Sequence, residues 1–326
     1  MLTLETKIET FALRQRFAIS RGAKTETIVV TAELSDGDRR GRGECGPNIR
    51  YGETPEGVAA AISAMAPAVA EGLDREGLQN AMPPGAARNA LDCAFWDLAA
   101  KQTGQRVWTL AGMAPPTPVE TAFTLSVDTP AAMADAARTN AARPLLKLKL
   151  TGAGDLDRVR AVRAGAPDAR LIVDANEAWA ADDFVALAEQ LARTGVEMIE
   201  QPLPAGNDAA LADLDHPLPI CADESCNDRT SVGGLVDRYD MVNIKLDKAG
   251  GLTEALATAA AAQTVGLDIM VGCMVGTSLA MAPAHLLAQR AKFVDLDGPL
   301  LLAEDRQPSL KVTGSLIFPP DAALWG

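Results

Sequence analysis

Lys147 and Lys149 alternate with leucines in Leu146-Lys147-Leu148-Lys149-Leu150, and three later apolar runs each end in a carboxylate: Asp174, Glu200 and Asp223. A fourth run, Met241 to Leu246, places Lys245 at the equivalent point. From Lys149 the successive intervals to Asp174, Glu200, Asp223 and Lys245 are 25, 26, 23 and 22 residues. Each is close to the length of one strand, one helix and two short loops in a closed parallel barrel, so each strand delivers one polar group to a shared end. Three carboxylates without His or Cys form an all-oxygen set suited to Mg²⁺ or Mn²⁺ rather than zinc. With lysines on either side, the collection suits removal of a proton next to a carboxylate.

Strand positions i and i+2 share a face, so Lys147 and Lys149 point together into the barrel mouth while Leu146, Leu148 and Leu150 face the surrounding helices. Lysines crowded in a partly desolvated site are expected to lower one another's pKa from about 10.4, which makes a neutral amine base accessible. Loss of a proton α to a carboxylate builds a second negative charge on the same oxygens, and a divalent cation there stabilises that enediolate. Lys149 and Lys245 lie on strands well apart around the ring and reach the carbon from opposite faces, one taking the proton and the other returning it. The product is the inverted stereocentre. Asp295 and Asp297, in Asp295-Leu-Asp297-Gly-Pro, also share a face and are placed to hold a cationic substrate group.

An α/β architecture must position these residues. Residues 2–12, 26–34 and 40–46 read as strands of an antiparallel sheet, followed by two helices, the second from Ala86 to Gln102 with Gly104 just beyond it. The proline-containing stretch from Gly112 to Pro118 marks a boundary. From Val119, short apolar strands alternate with Ala-rich helices, which implies right-handed crossovers and a parallel sheet. Eight strands are expected: 121–127, 145–150, 171–174, 198–200, 220–223, 241–246, 269–272 and 293–295. The reading is a capping domain over 1–112, a barrel over 113–310, and a tail over 311–326 that returns to the first lobe.

The bulk composition excludes several functions. With 326 residues, 30 Lys+Arg and 43 Asp+Glu, the chain carries a net charge of −13, which opposes nucleic-acid binding. Charges at Glu5, Lys7, Glu9, Arg14 and Arg16 interrupt any secretory apolar run, and no membrane-spanning stretch is present. A cytoplasmic protein with a small-molecule partner is expected, and assembly into a homo-oligomer is left open. Five scattered cysteines and two histidines supply neither a disulfide framework nor a zinc site or Ser-His-Asp triad.

Five motifs in order resemble the muconate-lactonising subgroup of the enolase superfamily. They are Lys147-Leu-Lys149, Ile172-Val-Asp174-Ala-Asn176, Ile199-Glu200-Gln-Pro, Ala222-Asp223-Glu224-Ser225 and Asn243-Ile-Lys245-Leu-Asp-Lys248-Ala-Gly-Gly. The likeness extends over nearly the whole chain, including the helix with Asn89-Ala-Leu-Asp92-Cys-Ala-Phe-Trp96-Asp97. It implies a modified (β/α)7β barrel of the TIM type, capped by an N-terminal α+β domain that the C-terminal tail completes. It also implies Mg²⁺ on Asp174, Glu200 and Asp223, with Lys149 and Lys245 as the acid/base couple beside Lys147. Asn176, Glu224 and Lys248 take supporting places.

The pair Asp295 and Asp297 resembles the Asp-x-Asp of the superfamily's dipeptide epimerases, which binds a dipeptide's free α-ammonium. Gly272-Cys273-Met274 through Thr277-Ser278 resembles their preceding strand and loop, placing Thr277 and Ser278 at the substrate. Members acting on L-Ala-D/L-Glu carry a basic capping-loop residue for a substrate carboxylate. Here Lys24 aligns with that arginine, Arg21 shares the task, and Arg50 and Tyr51 on a second lobe loop line the pocket. The implied activity is Mg²⁺-dependent epimerisation of a dipeptide substrate. A cycloisomerase or an o-succinylbenzoate synthase would need no ammonium-binding pair, N-acylamino acid racemisation is disfavoured for the same reason, and a non-catalytic carboxylate-binding module would not need the lysines.

Overall fold

The computed structural model describes residues 2–326. Its first element is a long antiparallel hairpin, β1 (Thr3–Ile19) and β2 (Gly22–Asp36), paired from Thr3 with Ser35 to Ile19 with Gly22, and β3 (Arg39–Cys45) joins β2 antiparallel. The segment 19–26, expected as a loop, is therefore mostly strand, with its turn at Ser20 and Arg21. This arm projects beyond the lobe's core, and its residues from Arg21 to Glu26 are exposed. An arm with no buried face lacks the apolar alternation by which a strand is recognised in sequence.

Five helices follow rather than two: α1 (Pro55–Ser63), α2 (Ala66–Ala70), α3 (Arg75–Ala81), α4 (Ala86–Thr103) and α5 (Val107–Leu110). The short ones start at local signals, with Thr54 capping the Gly57 amide ahead of Pro55 and Asp74 capping that of Gly77. Stretches of four to nine residues are too short to display a helical period. α4 lies directly on β3 because that strand presents glycines. A Cβ on Gly41 would sit 2.3 Å from Ala94 O, and one on Gly43 2.1 Å from Ala90 O. Val30, Ala32, Leu34, Leu78, Leu91 and Ala94 are among the residues of the lobe's own core.

After β4 (Val119–Glu120) come the eight parallel barrel strands, each overlapping an expected one: β5 (Phe123–Leu125), β6 (Leu145–Lys149), β7 (Arg170–Asp174), β8 (Val196–Glu200), β9 (Ile220–Ala222), β10 (Met241–Ile244), β11 (Asp268–Gly272) and β12 (Phe293–Asp295). They pair in chain order, and a backbone bond from Ala122 N to Val294 O at 2.8 Å links the first strand segment to the last. Helices make six of the seven crossovers, and a single 3₁₀ turn, Ala209–Ala212, makes the one between β8 and β9.

Inward-facing side chains change character along each strand. At the base, Ala122, Leu145, Ile172, Met198, Cys221, Met241, Met270 and Phe293 form a closed apolar plug. Two or four residues further along the same faces stand Lys147, Lys149, Asp174, Glu200, Asp223, Asn243, Lys245 and Asp295. Leu146, Leu148 and Leu150 point outward into the core shared with the helices. Burial of the plug and that core fixes the register, and the register carries the polar groups to the mouth.

The tail forms β13 (Val312–Thr313) and β14 (Leu316–Ile317), which pair onto β4, and then returns to α4. Trp325 Nε1 donates to Cys93 O at 3.0 Å and Gly326 N to Asp97 Oδ1 at 2.7 Å, so the expected docking of the tail on the first lobe is seen. Among the described residues no helix is long and apolar enough to cross a membrane, and the five cysteines are unpaired.

Candidate active site

Five consecutive strands carry Lys149, Asp174, Glu200, Asp223 and Lys245 to one place, and the arrangement is nearly mirror-symmetric about Glu200. Lys149 Nζ lies 2.5 Å from Asp174 Oδ2, and Lys245 Nζ lies 2.7 Å from Asp223 Oδ2. Lys149 and Lys245 both line a cavity of about 670 Å³ between barrel and lobe. Gly272 makes room for Lys245, since a Cβ there would meet Asn243 Oδ1 at 2.7 Å and Lys245 Cε at 3.1 Å.

Oxygens of Asp174, Glu200 and Asp223, all buried, lie within 4.8 Å of one another. Glu200 Oε2 is 2.6 Å from Lys147 Nζ but outside hydrogen-bond geometry, so this buried oxygen has ionic contact and no hydrogen-bond partner. A compact all-oxygen set with one acceptor unspent fits a small hard dication. The remaining oxygens are held from outside. Asn243 Nδ2 donates to Glu200 Oε1 at 2.7 Å, Asn176 N and Nδ2 donate to the two Asp174 oxygens at 2.8 and 3.1 Å, and Lys248 Nζ contacts Asp223 Oδ1 at 2.6 Å.

Lysine titration differs from the expectation of mutual depression. Burial alone would lower the pKa of Lys147, but Asp295, Glu200 and Asp174 outweigh it and hold the ammonium well above its usual value. Lys245 is likewise raised, burial being outweighed by Asp223 and Glu200. The sequence shows how many lysines converge, whereas the net sign depends on carboxylates within 3 Å. Burial and Asp174 push Glu200 up to about 7, while Lys245 and Lys248 overcome burial and hold Asp223 well below the carboxylate range.

Lys147 does not open on the cavity. Its ammonium is enclosed by Glu200 at 2.6 Å, Asp295 at 2.7 Å and Asp174 at 3.5 Å, which makes it the buried counter-charge beneath the mouth. Asp295 and Asp297 do line the cavity, next to Thr124, whose amide donates to Asp297 Oδ2 at 2.6 Å. Burial and the neighbouring Asp295 push Asp297 up to about 7.

From the lobe come Arg21, Lys24, Arg50 and Tyr51, all lining the cavity. Arg21 pairs with Glu224 at 2.8 Å and Glu177 at 3.2 Å, and Arg50 pairs with Glu177 at 2.8 Å. Both arginines are thus engaged by barrel loops, Arg21 clasping the hairpin tip over the mouth and Arg50 the lobe loop after β3. Lys24 makes only a 3.3 Å contact with Thr27 Oγ1 and has no carboxylate partner among the described residues. Lys24 is exposed as a residue, and the partial desolvation of its side chain at the cavity lowers its pKa. Burial pushes the Tyr51 phenol up to about 12.

Thr277 and Ser278 are the correction. Neither lines the cavity; Thr277 donates to Glu44 Oε2 at 2.5 Å and caps the helix Ser278–Ala288, while Ser278 N donates to Asp305 Oδ1 at 3.0 Å. A Thr-Ser pair reads in sequence as two free hydroxyls, and only the fold shows these to be spent on the buried Glu44 and the half-buried Asp305. Conversely, Glu177, Gln201 and Asn243 took no role from the sequence. Their one local signal was position, Glu177 and Gln201 just after strands that end in a carboxylate and Asn243 within the strand that leads to Lys245. Glu177 and Gln201, with Asn176, hold positive φ values of 67°, 36° and 45° at the mouth, conformations that L residues keep only when their surroundings enforce them.

Comparison with known proteins follows the same lines. Residues 131–314 match the model described as the enolase C-terminal domain-like family, and residues 3–112 match the mandelate racemase / muconate lactonizing enzyme N-terminal domain. The chain is 49% identical to L-Ala-D/L-Glu epimerase of Escherichia coli, over 96% of this chain and 98% of that one. It is 43% identical to an N-acetyl-D-glutamate racemase of Pseudoalteromonas, over 91% and 95%. A crystal structure of an enolase family member from Agrobacterium tumefaciens with homology to dipeptide epimerases, holding sodium and L-Ala-L-Glu with an ordered loop, is 54% identical and superposes with a TM-score of 0.98 over the whole of both chains. The chain therefore belongs to the enolase superfamily, in its mandelate racemase and muconate-lactonising branch.

Proposed function

We propose that this protein epimerises a dipeptide at the α-carbon of its C-terminal residue, interconverting L-Ala-D-Glu and L-Ala-L-Glu, with Mg²⁺ on Asp174, Glu200 and Asp223. The observation that carries the reading is the pair of lysines flanking three buried carboxylates and opening on one cavity. A bound dication would stabilise the double negative charge that develops on the substrate carboxylate when the α-proton leaves. Lys149 Nζ removes or returns that proton on one face, and Lys245 Nζ acts on the other. Lys147, Lys248, Asn176 and Asn243 hold the ligand oxygens. Asp295 and Asp297 receive the α-ammonium, and its arrival favours the ionised form of Asp297.

Lys24 takes the glutamate side chain, because Arg21 and Arg50 are occupied in holding the hairpin tip and the loop after β3 to the barrel. A lysine offers a point charge rather than a bidentate fork, so this contact selects negative charge more than carboxylate geometry. Residues 1–112 with the tail 311–326 act as the cap over a barrel of 113–310. We assign the activity to the metabolism of peptidoglycan-derived peptides in the cytoplasm.

Proton exchange in D₂O tests the reading. Lys149→Ala and Lys245→Ala should each lose epimerisation by at least the roughly 10² to 10⁴ expected for a lost general base. Each should still exchange the α-proton of one epimer, and the complementary variant that of the other. Two variants that exchange the same epimer, or that epimerise at the wild-type rate, would refute the opposed-base assignment.

A further inference from the structure

Behind the carboxylate cluster, and outside the cavity, lies a closed polar network that the mechanism above does not use. Gln201 follows Glu200 directly, is fully buried, and spends every hydrogen-bonding group of its amide. Its Oε1 accepts Asp223 N at 2.8 Å and Ser225 N at 3.1 Å. Its Nε2 donates to Leu203 O at 2.9 Å, Tyr239 Oη at 2.9 Å and Ser225 Oγ at 3.0 Å. One amide thus joins the mouth ends of β8 and β9. It is covalently adjacent to Glu200 and grips the peptide N–H of Asp223.

The orientation of that amide is fixed from further out. Tyr239 and Ser225 both donate their single hydroxyl protons to Asp208 Oδ2, at 2.5 and 2.6 Å, and Arg238 pairs with the other Asp208 oxygen. Burial and the bond to Asp208 hold the Tyr239 phenol above its usual pKa, so it remains a donor. With their protons spent on Asp208, the two hydroxyls present only lone pairs inward. A flipped Gln201 would set its carbonyl against those lone pairs and its NH₂ against the amides of Asp223 and Ser225. Asp208 therefore dictates which end of Gln201 faces Asp223. The strained φ of 36° at Gln201 is held in place by this network.

We propose that Gln201, oriented by Asp208 through Tyr239 and Ser225, is a positioning residue for the divalent cation, setting the spacing between Glu200 and Asp223. The inference rests on the Mg²⁺ reading above and goes beyond it, since none of these four residues touches the cavity. Outer partners of ligating carboxylates typically change metal affinity by about 10- to 100-fold. Removing the Gln201 amide should reach that range.

Isothermal titration of Mg²⁺ into metal-stripped protein, with thermal melting alongside, tests it. Gln201→Leu should raise the Kd for Mg²⁺ by about 10- to 100-fold, and Asp208→Asn, which frees the hydroxyls to reorient, should weaken binding in the same direction. Tyr239→Phe keeps Ser225 as an acceptor and should have a smaller effect, and it decides the matter if Gln201→Leu does not fold. In turnover, the Mg²⁺ concentration for half-maximal rate should rise more than kcat at saturating Mg²⁺ falls. A lower melting temperature with an unchanged Kd marks a merely structural role and overturns the proposal. Wild-type protein that binds no Mg²⁺ overturns the metal reading itself, whatever the variants do.

Discussion

Replacing Asp247 by Asn should stabilise the protein in a way that depends on pH. Asp247 sits where lobe meets barrel: its Oδ1 accepts Gly46 N at 3.0 Å and Asn89 Nδ2 at 2.9 Å, both from the lobe. Burial pushes its pKa up to about 7, with Glu53 and Glu44 adding to the effect. In the unfolded chain an aspartate titrates near about 3.9, so the folded protein holds this proton more tightly. Stability is then unaffected below about pH 4, falls as pH rises from there towards 7, and levels off above 7 at a cost of about 4 kcal/mol. The substituted amide would keep the accepting oxygen and remove the charge, but would add an NH₂ that costs about 1–3 kcal/mol if unpaired. That cost is the same at every pH, so the informative quantity is the change in the variant's advantage between pH 4.5 and 8. It should be about 3 kcal/mol, or about 6 °C in melting temperature at about 2 °C per kcal/mol. Thermal melts of both proteins across that range provide the measurement. A difference that is flat with pH, or that grows towards acid, would refute the reasoning.

Two further substitutions test the substrate end and the fit of a base. Asp297→Asn should lower kcat/KM for dipeptides with a free amino terminus by about 10- to 100-fold, the worth of one charge-assisted bond, while N-acetylated analogues change little; equal losses would remove the ammonium-binding role. Gly272→Ala puts a Cβ 2.7 Å from Asn243 Oδ1 and 3.1 Å from Lys245 Cε and should cut turnover by about 100-fold, with a melting temperature lowered by the overpacking; normal turnover would mean that Lys245 can shift without loss.

The barrel was legible because its strands solve a two-sided problem. Leucines 146, 148 and 150 must meet the helices while residues 145, 147 and 149 turn inward, and that alternation survives in six letters of sequence. Carboxylates at the ends of such runs follow from the same register, so the group of Asp174, Glu200 and Asp223 needed no side-chain packing to be found. What stayed hidden depends on contacts across long stretches of chain. Thr277 looked free until Glu44, 233 positions away, took its hydroxyl. Gln201 looked incidental until Asp208 and Tyr239 fixed its amide. The arm from Gly22 to Glu26 gave no strand signal, because its neighbours are solvent and a cavity rather than a core.

The lobe's cations show where such reading stops. Arg21, Lys24 and Arg50 are equivalent as charges near a pocket, and sequence alone offers each of them to the substrate. The fold separates them by the shape of what they meet. Glu177 sits in a left-handed loop conformation, receives Arg50 Nε and Nη2 at 2.9 and 2.8 Å, and accepts Ala205 N as well, so it is a rigid carboxylate matched to a planar fork. Glu224, nearly buried, takes Arg21. Guanidinium groups suit such fixed two-point contacts, and both arginines are drawn to the barrel loops as a clasp. A flexible ammonium gains less from either site, so Lys24 remains unpaired inside the cavity. Under the function proposed above, Lys24 is the cation left to meet a negative charge on the substrate, while Arg21 holds the hairpin tip and Arg50 the loop after β3 against the barrel.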